Sequence, residues 1–322
     1  RDSDYDGACT ANVMVPLVED PAEAPGWFPE PLEGVDQVVM LVLDGLGWHQ
    51  MHARSGLLRG LTAMNAARIR TVAPTTTATA LTSIVTGTAP GEHGVVGYRI
   101  DVQGEVLNAL RWTTPRGDAR ERIVPTEFQT RPAFLGHRPV VVQNAEFRGS
   151  GFTLAHLADV RHHGWHTMAG IVVEARRAVA AGEPFVYAYY DGIDKTAHVH
   201  GFGEHYEAEL VACDRLVADL TMALPRGTAV VVTADHGIVD CTGGGIELDP
   251  TVGALVERQS GEARFRWLHA APGRRSALLQ AAGAAHGEHA WVHDVDEIID
   301  AGWFGPIVTA TARSRLGDGA VV

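Results

Sequence analysis

Lysine is nearly absent from this chain. Of its 26 basic residues only one, Lys195, is a lysine. Cysteine is scarce as well: Cys9, Cys213 and Cys241 are an odd number at unrelated spacings. That excludes a disulfide framework or a zinc knuckle. Unpaired thiols favour a reducing compartment, so a cytoplasmic location is the expectation. No run of about 18 uncharged apolar residues occurs, so no membrane span is expected. Positive charge is in deficit, with 26 Lys and Arg against 39 Asp and Glu and a net charge of −13. Such a surface does not grip nucleic acid non-specifically. A phosphate-bearing ligand stays compatible with it, because bound divalent cations invert a local field. There is no repeat, low-complexity tract or visible signal peptide, and an opening at Arg1 rather than Met leaves the natural start open.

With 322 residues, 46% of them hydrophobic, the chain can build one large α/β domain. Residues 1–36, rich in Pro, Glu, Asp and Gly, read as a lead-in strap anchored by Trp27, Phe28 and Pro29. Residues 37–322 read as a single domain. QVVMLVL (37–43) has the continuous apolar character of a strand buried on both faces. Short strands are expected at 69–73, 139–142, 184–190, 228–233 and 264–268. Helices are expected at 48–67, 152–163, 167–181, 206–222 and 294–301. This alternation predicts an α/β fold with a mainly parallel, doubly wound sheet flanked by helices. A hairpin at 97–112 opens an insertion over about 99–152, expected to roof the pocket.

The chemistry-bearing residues fall where these strands end. Asp44 follows the first strand and either caps the next helix or meets a ligand. VAPTTTATALTSIVTG (72–87) holds six threonines and a serine. Thr75, Thr76 and Thr77 stand where a small-residue helix begins, beside free backbone N–H groups, as plain caps or as anion-binding hydroxyls. Asp194 and His198, four apart, share a helical face. Asp235 and His236 end TAVVVT, and His269 ends a possible fifth strand. Strand ends of a parallel sheet share one edge, the usual ligand site of open α/β folds. Asp and His together suit zinc or a similar divalent metal. The remaining histidine clusters, His162, His163 and His166 and then His286, His289 and His293, read as surface.

The order of these motifs resembles the alkaline phosphatase superfamily, and within it the type I phosphodiesterase/nucleotide pyrophosphatase family. LVLDGLG (41–47), PTTTATALTSIVTGTAPGEHG (74–94), YYDGIDKTAHVHG (189–201) and VVVTADHG (230–237) carry it. The resemblance implies two divalent metal ions, Zn2+ first, and a threonine nucleophile, which its P-T-x-T…V-T-G spacing puts at Thr77. One metal would take Asp44, Asp235, His236 and Thr77; the other would take Asp194, His198 and His269. It further implies a phospho- or nucleotidyl-threonine intermediate and a small phosphate ester, such as a nucleotide, as substrate. Alternatives are a phosphomonoesterase or phosphotransferase on the same site, or a non-catalytic metal-binding domain. Two departures stand out. The usual G-x-H-G is missing around His269, and Ala80 replaces an Asn that helps bind a phosphate oxygen. Tyr98, Asn108, Asn144 and Lys195 are candidate substrate contacts in its stead, and Asp191 is a candidate to orient a ligand histidine.

Overall fold

The run QVVMLVL becomes the central strand, and its alternation distributes side chains to two cores. Val38, Met40 and Val42 enter one core, and Val39, Leu41 and Leu43 the other. The computed structural model describes residues 4–19, 25–29, 32, 34–241 and 243–322. In chain order its strands are β1 (Gln37–Leu43), β2 (Arg99–Val102), β3 (Glu105–Asn108), β4 (Thr113–Thr114), β5 (Gly117–Asp118), β6 (Val140–Asn144), β7 (Arg161–Trp165), β8 (Phe185–Tyr190), β9 (Thr228–Thr233), β10 (Val256–Glu262), β11 (Phe265–Ala270), β12 (Val292–Asp294) and β13 (Gly319–Val321).

Five strands form a wholly parallel sheet in the order β7-β6-β8-β1-β9. The helix Thr77–Thr86 packs Ala78, Leu81, Ile84 and Val85 on one face of it. The helices Met168–Ala180 and Glu204–Ala223 cover the other face with Ile171, Ala175, Leu210, Leu216 and Leu220. Fully burying each such Leu or Ile contributes about 1.5–3 kcal/mol. Apolar helices on both faces make this the doubly wound α/β sheet that the sequence pattern predicts.

The other eight strands form a second sheet, β12-β13-β11-β10-β2-β3-β4-β5, whose pairings are antiparallel. The segment 99–152 is therefore divided. Its hairpin β2–β3 turns at Gln103 and Gly104, both with positive φ as a tight hairpin turn requires, and joins β10, whereas β6 belongs to the parallel sheet. Phe265 and Trp267 of β11 share the core of the helix Thr77–Thr86, and Trp267 Nε1 donates to the Val96 carbonyl at 2.8 Å. The second sheet thus rests against the first.

Four expectations fail locally, one of them the helix over 48–67, which is two short helices, Trp48–Ala53 and Arg59–Thr62. The stretch 69–73 is not a strand of either sheet; only Arg70 forms an isolated bridge, to Cys9. The helix expected over 152–163 stops at His156, and Arg161–Trp165 is the edge strand β7. β9 is half-buried at each of its six residues, not buried, because it is the other edge. An edge strand is covered on fewer sides, so apolar content alone does not mark its depth. Cys9, Cys213 and Cys241 are all free, and no helix among the described residues is long and apolar enough to cross a membrane.

The helix Thr77–Thr86 is tied down at its far end. Gly87 closes it at φ 64°, and buried His93 makes a 2.8 Å hydrogen bond with Ser83 Oγ while its Nδ1 accepts from Val95 N. Burial, with Arg315 and Arg131 nearby, pushes His93 down to about 3. The folded state then takes up this proton far later than the unfolded chain. Stability from this site is intact above the ordinary value of 6.5 and is lost as pH falls toward 3. The His93→Gln protein should show a shallower fall of thermal midpoint from pH 6.5 to pH 4 than wild type; parallel curves would contradict a buried neutral His93.

Candidate metal centre

Three carboxylates and a histidine converge at the carboxyl end of the parallel sheet. Asp44 follows β1, Asp194 lies in the helix Gly192–His200 that follows β8, and Asp235 and His236 follow β9. Because β1 pairs with both β8 and β9, these chain ends are neighbours by register. Gly45 makes the turn after β1 at φ 79°, where a Cβ would meet Ile238 Cδ1 at 2.8 Å. Its amide donates to Asp235 Oδ1 at 3.2 Å. Gly47 lies so close to Gly237 that a Cβ would fall 2.5 Å from the Gly237 Cα. The D-G-L-G and D-H-G loops are therefore locked together through their backbones.

Asp44 and Asp235 each have one oxygen committed and one left over. Asp44 Oδ2 accepts from the Tyr189 hydroxyl, and Asp44 Oδ1 is buried without a hydrogen-bond partner. Asp235 Oδ1 accepts from the Gly45 and His236 amides, and Asp235 Oδ2 is likewise unpartnered. The two spare oxygens each lie 3.4 Å from His236 Nε2. Thr77 Oγ1 lies 3.0 Å from the same nitrogen. His236 Nδ1 faces the Gly237 carbonyl at 3.1 Å, which holds its proton there and frees Nε2 as a donor to a cation.

These spacings fit a metal. Tetrahedral zinc with N and O donors at 2.0–2.1 Å has donor–donor edges of about 3.3–3.4 Å. Asp44, Asp235 and His236 are grouped with their ligand atoms within 4.8 Å of one another. The electrostatics point the same way. Two unit charges at that spacing repel by about 3–4 kcal/mol at an effective dielectric constant of 20. Burial and then the Asp235 and Asp194 charges push Asp44 well above the usual carboxylate range. Burial also raises Asp194, against the pull of His198 and His236. For His236, burial acts downward, but the Asp235 and Asp194 charges outweigh it and the net shift is upward. A bound cation would offset the carboxylate repulsion and would compete with the proton for His236 Nε2.

Thr77 opens the helix Thr77–Thr86 as its first residue. Thr76 occupies the N-cap position, yet its side chain makes no capping hydrogen bond to the helix. It bonds Glu262 at the end of β10, and Thr75 Oγ1 donates to the Val72 carbonyl at 3.0 Å. The threonine cluster is thus not spent on capping, and the first-turn amides beside Thr77 stay available to an anion.

The second half of the expected ligand set is only partly assembled. Asp194 Oδ1 is buried without a hydrogen-bond partner, 3.5 Å from His198 Nε2 on the same helical face. His269 does not join them. It lies within β11 of the antiparallel sheet, not at the end of a fifth parallel strand, and its Nε2 makes a 2.7 Å hydrogen bond with Ser260 Oγ. Asp191 pairs with Lys195 Nζ at 2.5 Å instead of orienting a histidine. Asn108 of β3 donates to the hydroxyl of Tyr98, just before β2, at 2.5 Å, and the Asn144 side chain accepts from Glu146 N. None of the three has a hydrogen bond to Asp44, Asp235 or His236 among the described residues. Tyr189 and Glu262 were not foreseen. Both reach the site through strand pairing, which a single chain of letters does not display.

The model of the type I phosphodiesterase/nucleotide pyrophosphatase family matches residues 38–310. The chain belongs to this family. No curated protein matches it in sequence. Among solved structures it resembles murine ectonucleotide pyrophosphatase/phosphodiesterase 5, solved as an inactive variant in complex with AMP. The identity is 14% over 89% of this chain and 78% of that one, at a TM-score of 0.63. It also resembles phosphonoacetate hydrolase from Sinorhizobium meliloti 1021 in complex with phosphonoformate, at 18% identity over 91% and 81% of the two chains and a TM-score of 0.60. The family supports an enzyme that hydrolyses phosphoric esters, and the strand-end motifs that the family resemblance rested on are the ones gathered here.

The unpartnered oxygens make a clear expectation. After chelation, Asp44→Asn should melt higher than wild type, because one buried like charge is gone. Added Zn2+ should then raise the wild-type midpoint more than that of the variant. Differential scanning fluorimetry reads both, and equal zinc responses would take Asp44 out of any metal site.

Proposed function

We propose that the protein is a two-metal phosphodiesterase/nucleotide pyrophosphatase acting through Thr77. The observation that carries this reading is the convergence of Thr77 Oγ1, Asp44 Oδ1 and Asp235 Oδ2 on His236 Nε2. One metal ion, zinc by donor chemistry, would be held by Asp44, Asp235, His236 and Thr77; a second would be held by Asp194 and His198, with its other positions open. When bound, such ions lower the pKa of a hydroxyl and neutralise charge on phosphoryl and leaving oxygens.

The chain's own groups divide the rest of the work. Thr77 Oγ attacks phosphorus in line; the P–O bond to the leaving alcohol breaks, and a phosphoryl- or nucleotidyl-threonine forms. Water then cleaves the Oγ–P bond and restores the hydroxyl. The free amides at the start of the helix Thr77–Thr86 face the phosphoryl oxygens, a task that Ala80 cannot share. Tyr189 and the Gly45 amide hold the carboxylates so that their spare oxygens point inward. The AMP complex of the murine relative, whose inactive form carries alanine in place of a threonine, supports both a nucleotide-type ester and a threonine nucleophile.

Diesters are favoured over monoesters by the surroundings of His236. A groove of about 730 Å3 runs along β9, and Leu46, Trp48 and Met51 line it together with Asp235 and His236. Apolar and aromatic walls suit the second ester group of a diester.

Correctly folded Thr77→Ala with wild-type metal content should lose about 10³-fold or more in kcat on a bis-nitrophenyl phosphate. Retained turnover would exclude the nucleophile. The wild-type protein should also prefer that diester to nitrophenyl phosphate in kcat/KM, and the reverse order would replace the diesterase reading with a monoesterase.

A further inference from the structure

The histidines of R-H-H-G-W-H, read from sequence as surface, have a second setting. A cavity of about 290 Å3 opens at the carboxyl ends of β6 and β7, lined by Gln143, Asn144, Arg148, His162 and His166. Among the described residues no carboxylate lines it. In a chain with a net charge of −13, a recess walled by Arg and two His is a local inversion of the field.

The hydrogen bonds of His162 and Asn144 leave donors toward this space. Gln143 Nε2 donates to His162 Nδ1 at 3.2 Å, so the imidazole carries its proton on Nε2. The Asn144 side-chain oxygen accepts from Glu146 N at 3.0 Å, which leaves its NH2 group as the free end. Arg148 has no ion-pair partner among the described residues. Burial and then the Arg148 charge push His162 below its ordinary value, the response of a base beside an uncompensated cation.

The cavity also has a definite relation to the reacting centre. β6 is next to β8, which carries Asp194 beyond its end, and β8 is next to β1, which carries Asp44. Strands lie about 4.7–4.9 Å apart, so the recess between β6 and β7 opens on the same sheet edge about 7 Å from the line of β8 and about 12–17 Å from those of β1 and β9. Lys195 sits between them, paired to Asp191 and 5.4 Å from the centre of the Phe147 ring.

We propose that this recess is an anion subsite that takes a second charged group of the substrate, a phosphate or a carboxylate, while the scissile phosphate sits at the metal centre. The proposal rests on the hydrolase reading above for the substrate's other end. It narrows the substrate class to phosphoric esters that carry a second anion several bonds from the reacting phosphorus. Neutral-ended esters gain nothing from these donors.

Two measurements test it separately from the hydrolase reading. The first uses metal-free protein in EDTA, titrated with inorganic phosphate and followed by the ring-proton NMR signals of the histidines. His162 and His166 should shift saturably; Arg148→Ala should abolish the response and Arg148→Lys should restore part of it. No saturable shift, or the same shift in Arg148→Ala, overturns the subsite. The second uses metal-loaded protein with two nitrophenyl phosphodiesters, one whose other alcohol bears a carboxylate and one whose other alcohol is neutral. The ratio of their kcat/KM values should fall at least about 10-fold in Arg148→Ala, mainly through KM, as expected for a lost charge-assisted hydrogen bond. An unchanged ratio overturns the assignment to substrate. A protein that hydrolyses neither ester but shows the Arg148-dependent shifts would end the hydrolase reading and uphold the anion subsite.

Discussion

Like charges held close together out of water are what the rest of this structure must accommodate. Asp44 and Asp235 are almost fully buried at the ends of adjacent parallel strands, and Asp194 stands beside them. Among the described residues no arginine or lysine pairs with them; the basic group among them is His236, with Asp44 and Asp235 each 3.4 Å from its Nε2. A polypeptide gains nothing from such an arrangement on its own, because desolvation and mutual repulsion both oppose it. The packing of two apolar cores against both sheet faces, the glycine contacts between the two loops, and the Tyr189 hydroxyl supply the offset. Rigidity follows as a result. The ligand oxygens have no room to swing apart, so a cation meets donors already in place.

The same constraint explains why an antiparallel sheet of eight strands accompanies the parallel one. Glu262, at the end of β10, reaches the Thr76 hydroxyl next to Thr77, and Trp267 of β11 donates to the backbone that leads into β2. The second sheet is thus a buttress for the start of the threonine helix as well as a wall. It draws its strands from two stretches, 99–118 between β1 and β6 and 256–321 after β9. A reading in chain order sees these as an insertion and a tail, and only pairing makes them one object.

Much of the candidate site is legible in the sequence, for a physical reason. An apolar run that ends in Asp-Gly or Asp-His-Gly marks a buried strand delivering a charge to a sheet edge, and β1 and β9 did so. The i, i+4 spacing of Asp194 and His198 survives folding because helical geometry is local. His269 failed because its strand was assigned to the wrong sheet; FRWLH alternates in a way that fits either. Tyr189 was invisible because its role depends on the register Val42↔Tyr189 between strands far apart in sequence. β7 was missed because an edge strand needs no continuous apolar run, and its histidines mimic an exposed turn.

Lys195 gives the molecule a property of a different kind. Its ammonium is paired with Asp191 and lies over the Phe147 ring, yet the side chain is 60% exposed. Apart from the chain's own amino terminus, it is the only primary amine in 322 residues. Amine-directed reagents, which scatter over the surface of an ordinary protein, therefore have one side chain to find here, and it lies between the metal centre and the arginine-lined recess. The chain carries a natural attachment point for a spectroscopic label beside its candidate metal centre, without any engineering.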